Sequence, residues 1–229
     1  LVSVMAVNNE TGAVLEPPPC DCLVHRDVTQ ALGKTPLDLN GVDFASFSAH
    51  KIHGPKGVGG LYIADPTLLE PYLTGGVQES GLRAGTLNVP GIVGLGAACA
   101  VAMDRLDEDI RCAQSLREAV LEGLAKVPDW RVNDGPQNSP FILSVSFFGL
   151  QGEPLALFCD QAGFAVSSGA ACSSGTTELS HVLTALGLPA AYARGTVRVS
   201  FSRDNTLDAA RDLGRILARG ADELRRLGH

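Results

Sequence analysis

Apolar residues open the chain almost without a break. Leu1, Val2, Val4, Met5, Ala6 and Val7, interrupted only by Ser3, read as a strand buried in a sheet. The polar turn at 8–12 ends it, and Pro17, Pro18 and Pro19 forbid a regular helix through the next stretch. Short apolar runs of strand length follow at 23–25, 42–48 and 58–63, with the turn Gly54-Pro55-Lys56-Gly57 between the last two. Asp27 falls just past the end of the first of these runs. Gly75, Gly76 and residues 81–86 form an irregular segment before the run Gly91 to Met103, which predicts a buried helix. Parallel strands need neighbours and crossover helices, so a chain that opens on a core strand is expected to be the C-terminal part of a larger fold.

From about residue 104 the texture changes. Leu106, Ile110, Ala113, Val120, Leu124 and Val127 recur at helical spacing with charges between them, which predicts a long amphipathic helix. Strands are expected at 141–148 and 197–201. A helix between them carries Leu179, Val182, Leu183 and Leu186 and stops at Gly187. A last helix starts after Thr206, a suitable N-cap, and carries Leu213, Ile216, Leu217 and Leu224. Strands mixed with long helices predict an α/β fold, divided into residues 1–105 and 106–229.

The 229 residues are 45% hydrophobic, too apolar for a disordered chain, and 18 basic against 25 acidic residues leave a net charge of -7. That balance argues against a general nucleic-acid or anionic-membrane binder. The run Gly91 to Met103 is too short to span a bilayer, and with no targeting segment in view the expectation is a cytoplasmic protein. Six cysteines are present, at 20, 22, 99, 112, 159 and 172, without the paired C-x-x-C sets of structural zinc, so no metal site is expected. Free thiols are the expected state.

The most informative segment is Ser46-Phe47-Ser48-Ala49-His50-Lys51-Ile52-His53-Gly54, where an apolar strand runs into a hydroxyl, an imidazole and an amine. Open α/β sheets bind ligands beyond the carboxyl ends of their strands, and a partly desolvated lysine there can form a Schiff base with a carbonyl. A carboxylate such as Asp27 at a neighbouring strand end suits a pyridinium nitrogen. Gln30 can donate to a phenolic oxygen, and Ser48 and His50 are placed to hold a phosphate. These are the requirements of pyridoxal phosphate.

With those residues in hand, the sequence resembles the class V, fold-type I pyridoxal-phosphate enzymes, and among them the cysteine desulfurases of the NifS/IscS kind. The resemblance runs through residues 7–12, 25–34 and 48–51, then Gln78-Glu79 and 83–86, Ser167 to Cys172, and Val197 to Ser200. It implies the C-terminal part of a fold-type I large domain, a mainly parallel sheet with helices, joined to a smaller α+β domain. It also implies that Lys51 holds the cofactor aldehyde, Asp27 the ring nitrogen and Gln30 the phenolic oxygen. Ser48 and His50 would bind the phosphate, Thr86 the phosphate of the partner subunit's cofactor in a homodimer, and Asn9 would lie near cofactor and substrate carboxylate. His50 is also a candidate for helping Lys51 move the substrate proton.

Cys172 lies among small residues, Ser167-Ser168-Gly169-Ala170-Ala171-Cys172-Ser173-Ser174-Gly175, the setting of a thiol on a loop rather than in a core. Cys99, Cys112 and Cys159 read instead as small buried hydrophobes, and Cys20 and Cys22 flank Asp21 in the proline-rich stretch. Strand alternation turns Arg198 away from Val197 and Val199, free to grip an α-carboxylate. The expected reaction converts L-cysteine to L-alanine with a persulfide on Cys172, the sulfur passing to an iron–sulfur scaffold or another sulfur-carrier protein. Selenocysteine lyase is the alternative within this chemistry. A catalytically incomplete remnant that only binds partners is the alternative outside it, favoured by Arg26, Val77 and Ser80, which depart from the family pattern, and by the short connection before Asp27.

Overall fold

In the computed structural model of the chain, which describes residues 1–168 and 179–228, the apolar runs of the first hundred residues form one four-stranded sheet in sequence order. Strands β1 (Val2–Met5), β2 (Val24–Asp27) and β3 (Phe44–Ser48) run parallel, and β4 (Gly59–Ile63) returns antiparallel to β3. Parallel pairing brings three carboxyl ends to one edge, with Met5 opposite Asp27 and Asp27 opposite Ser46. The return of β4 depends on glycine: a Cβ on Gly59 would collide with the Phe47 carbonyl oxygen.

Two expectations for this region need correction. Strand β1 is not fully buried; Ser3 and Met5 are exposed and burial begins at Ala6 and Val7. Among the described residues it pairs with β2 alone, and an unbroken apolar run does not reveal which face is covered. Helix α1 (Val89–Asp104), capped by Asn88 through the Gly91 N–H, is likewise far from buried. Only Gly91 and Ala102 are fully covered, while Val93 is 67% and Met103 65% exposed. A helix apolar on every side has no stripe to mark its packed face. That face is set by close approach, because a side chain on Gly33 would meet the Ala102 Cβ at 2.8 Å and one on Gly94 would meet the Pro55 ring at 2.6 Å.

These elements make up one compact unit, Leu1–Val7 with Leu15–Leu106; Asn8–Val14 and Asp107–His229 make up a second. Chain order alone groups residues 8–14 with the first unit. The backbone groups them with the second, since Ala13 bridges to Asn138, the Ser139 N–H donates to the Gly12 carbonyl, and the Val14 N–H donates to the Gln137 carbonyl.

In the second unit, helix α2 (Leu106–Leu124) is followed by β5 (Trp130–Val132), β6 (Ile142–Phe147), α3 (Gly152–Gln161), β7 (Ser167–Ser168), α4 (His181–Ala185), α5 (Ala190–Ala193), β8 (Thr196–Ser200) and α6 (Leu207–Leu227). The sheet order is β5-β6-β8-β7, antiparallel throughout. Leu143, Val145 and Phe147 of β6 and Val197 and Val199 of β8 alternate toward one face, where Leu116, Val120, Leu155, Leu213 and Leu217 close the core. Helices α2 and α6 touch through glycine: a Cβ on Gly123 would lie 2.6 Å from the Gly214 carbonyl carbon. The Thr206 hydroxyl accepts from the Ala209 N–H, so the expected N-cap of α6 is present. The helix expected at 179–186 is the short α4, started by Ser180 and followed by Gly187 at φ 69°. Cys159 is buried, but Cys99 and Cys112 are only half-buried. Among the described residues no single helix is long and apolar enough to cross a membrane.

Candidate active site

The first unit gathers a cofactor-like donor set at the carboxyl edge of its parallel strands. Asp27 is the last residue of β2 and is exposed; its Oδ1 accepts the Thr29 N–H at 2.9 Å, which starts the turn leading to Gln30. Arg26 points to the other face of the strand, where it is buried, donates to the Leu15 carbonyl at 2.7 Å and pairs with Glu16. The short connection before β2 and the unusual Arg26 therefore leave Asp27 at the strand end. Ser48 closes β3, and a single 3-10 turn, Ala49–Ile52, carries His50 and Lys51, both exposed. The Ser48 side chain makes no capping bond to that turn, so its hydroxyl is not committed there.

Two features of this edge lay outside the sequence reading. The ammonium of Lys34, half-buried and four residues after Gln30, donates to Gln30 Oε1 at 2.9 Å. A lysine can only donate, so the Gln30 amide is turned with its oxygen toward Lys34 and its NH2 group elsewhere. Burial, and then the charge on Lys51, lower the pKa of Lys34 to about 8. The second feature is a string across three strands, in which His25 bonds Ser46 Oγ at 2.9 Å through Nε2 and Ser3 Oγ at 2.7 Å through Nδ1. His25 and Asp27 are two apart on β2 and share a face. The i, i+4 spacing of Gln30 and Lys34 was a usable signal; the serine–histidine string had none before the register was known.

These residues fit pyridoxal phosphate by the chemistry of the set. An amine suits the aldehyde, a carboxylate at a strand end the ring nitrogen, an oriented amide the phenolic oxygen, and an uncommitted hydroxyl with an imidazole the phosphate. Two cations close enough for one to depress the other also favour an anion between them. Thr86 is exposed in the irregular segment before α1.

The second unit holds Arg198 and Asn9. Arg198 Nη1 donates to the Asn9 carbonyl at 2.9 Å and Nη2 reaches Ser167 Oγ at 3.3 Å. Its Nε is buried with no hydrogen-bond partner among the described residues, a donor that a carboxylate would satisfy. The turn-forming asparagine is Asn8 rather than Asn9: Asn8 Oδ1 accepts the Glu10 and Thr11 N–H groups at 2.9 and 3.0 Å. That leaves the exposed side chain of Asn9 free of a turn-forming role. Glu10, buried in the same turn, accepts the Ser180 hydroxyl at 2.6 Å, and Ser180 in turn caps α4. Ser167 and Ser180 bracket the stretch that contains Cys172, which itself lies outside the described residues.

A sheet of this topology with an amine, a carboxylate and an amide at its carboxyl edge suits pyridoxal phosphate, and the comparisons supply the family. The chain belongs to the aminotransferase class-V family, whose profile matches residues 1–213. It is 41% identical over 228 residues to a cysteine desulfurase of Gluconacetobacter diazotrophicus, covering 95% of this chain and 56% of that protein. Among solved structures, a NifS-like protein superposes with a TM-score of 0.83 at 36% identity, over 98% of this chain and 60% of that one. A structure described as SspA in complex with cysteine matches at a TM-score of 0.69 and 31% identity, over 89% and 59% of the respective chains. The chain thus spans about half the length of the curated relatives it matches. The family's enzymes depend on pyridoxal phosphate, and the α/β fold is that of its fold-type I members.

Proposed function

We propose that this chain belongs to a pyridoxal-phosphate-dependent cysteine desulfurase that converts L-cysteine to L-alanine and keeps the sulfur as a persulfide on Cys172. The observation that carries the reading is the convergence of Asp27, Gln30, Ser48, His50 and Lys51 on one sheet edge. Relatives named cysteine desulfurase, and a similar structure described as holding cysteine, support the substrate. When bound, the cofactor supplies an electron sink for charge released at the substrate Cα. Asp27 keeps the ring nitrogen protonated, Gln30 donates to the phenolic oxygen, and Ser48 and His50 hold the phosphate. Lys51 would provide the amine for the aldehyde and would move the substrate Cα proton, with His50 as the adjoining imidazole. Arg198 takes the α-carboxylate through its fork, and Asn9 lies beside that carboxylate. Cys172 thiolate attacks the substrate sulfur: a new S–S bond forms, the Cβ–S bond breaks with its electron pair left on the substrate carbon, Cβ takes up a proton, and L-alanine leaves.

Sulfur then passes to an acceptor protein, an iron–sulfur scaffold or another sulfur carrier, in the cytoplasm. The working form is a homodimer in which Thr86 reaches the phosphate of the partner subunit's cofactor; the exposed apolar residues of α1 support association. Neither selenocysteine lyase nor a catalytically silent remnant draws support from the relatives' names. The test is incubation of the cofactor-loaded protein with L-cysteine, followed by alanine assay and mass mapping of alkylated peptides. Equimolar alanine and a persulfide on Cys172, both lost in Cys172→Ser with the cofactor spectrum unchanged, is the expected result. Alanine release that survives Cys172→Ser at the original rate would refute it.

A further inference from the structure

Cys20 and Cys22 are the only exposed cysteines among the described residues, and the proposed reaction uses neither. One residue, Asp21, separates them, and their sulfur atoms lie 2.8 Å apart, closer than two non-bonded sulfurs normally approach. The Cys22 thiol donates to Cys20 Sγ, and the Cys20 thiol faces the Cys22 carbonyl at 3.6 Å. The pair sits at the amino edge of the first unit's sheet, two residues ahead of β2. The end of the connection is fixed there: the Val2 N–H donates to the Leu23 carbonyl at 2.8 Å and the Val24 N–H to Asp43 Oδ2 at 2.7 Å. Asp27 and Lys51 lie at the opposite, carboxyl edge, so this is a separate site.

We propose that Cys20 and Cys22 form a reversible dithiol–disulfide couple that exchanges with low-molecular-weight disulfides. The two sulfurs are already oriented toward each other, exposed to an attacking reagent, and held on a connection that proline keeps out of helix. The hydrogen bond between them assigns the roles. The Cys22 thiol is the donor, which raises its pKa, and Cys20 Sγ, the acceptor, is the attacking sulfur. Cys20 thiolate attacks the external disulfide, forming a mixed disulfide and releasing one thiolate. Cys22 then attacks the Cys20 sulfur, displacing the second thiol as it gives up its proton. Two protein thiols are oxidised and one external disulfide is reduced to two thiols. A ring closed over a single intervening residue gains little from loop entropy, which makes the bond easily reduced and the couple reversible.

The experiment treats the full chain with oxidised glutathione, quenches with acid, alkylates and digests with trypsin. Arg26 is the first Lys or Arg after the pair, so the tryptic peptide that ends at Arg26 carries both cysteines. The wild-type peptide is expected to lose two hydrogens and regain them with excess reduced glutathione. Cys22→Ser should stop at the mixed disulfide on Cys20, and Cys20→Ser should react about tenfold more slowly or less. A wild-type peptide that remains doubly alkylated, or that accumulates glutathione on either cysteine without closing the ring, would overturn the proposal.

Discussion

Replacing Lys34 by Met should abolish a pH dependence of stability that the wild-type chain carries. Lys34 ionises at about 8 in the folded chain against an ordinary 10.5, chiefly because it is buried and secondarily because Lys51 is charged nearby. The drop from 10.5 to about 8 corresponds to at most roughly 3–4 kcal/mol, at about 1.4 kcal/mol for each tenfold change in proton affinity. The sign follows from the lowered value. Below pH 8 both folded and unfolded chains hold the proton, and the folded state bears the full cost of a half-buried ammonium. Between 8 and 10.5 the unfolded chain holds the proton more tightly, so stability rises with pH, and above 10.5 the cost is gone. Urea unfolding of the cofactor-free chain from pH 7 to 10.5 reads this directly as the difference between wild type and Lys34→Met. Taking the difference cancels the opposing contribution of Cys159, whose thiol burial pushes up to about 11 and whose stabilisation is lost as pH rises past 9. The difference should change by up to about 3 kcal/mol in favour of wild type across that window. Lys51→Met should shrink it by removing the second cause. A difference independent of pH would refute the reasoning.

Three further outcomes follow from close contacts and unused donors. Gly214→Ala should destabilise the second unit by about 1–3 kcal/mol in thermal unfolding, although helix propensity alone favours alanine by about 1 kcal/mol, because a Cβ there would lie 2.7 Å from the Val120 carbonyl oxygen. Ser180→Ala should cost about 1–2 kcal/mol, since it removes both the α4 cap and the donor to the buried Glu10 carboxylate. Arg198→Ala should lower kcat/KM for L-cysteine by roughly tenfold to a hundredfold, mainly through KM, the loss expected for hydrogen bonds to a charged carboxylate.

Long periodic patterns were legible in the chain, and local geometry was not. Helices α2 and α6 declared themselves through leucines at helical spacing, and Thr206 marked the start of α6. The strands carrying Asp27 and Ser48 were legible as short apolar runs between turn residues. Helix α3 was missed because Gly152 and Pro154 stand in its first turn, where proline is tolerated but reads as a break. Strands β5 and β7 are three and two residues long, too short for any period to show. The burial of β1 and α1 was overstated because uniform apolarity does not say which side is covered. At the candidate site, residue types pointed to Lys51, Asp27 and Gln30. The Lys34 contact and the Ser3–His25–Ser46 string depend on distances and register that only the folded chain supplies.

The central claim is that the amine of Lys51 meets the aldehyde of pyridoxal phosphate. Borohydride reduction of the cofactor-loaded protein, followed by peptide mass mapping, tests it most directly. The account predicts one pyridoxyl group fixed on Lys51, with none on Lys34 or Lys56, and no labelling in Lys51→Ala. A pyridoxyl group found chiefly on another lysine, or labelling undiminished in Lys51→Ala, would contradict it.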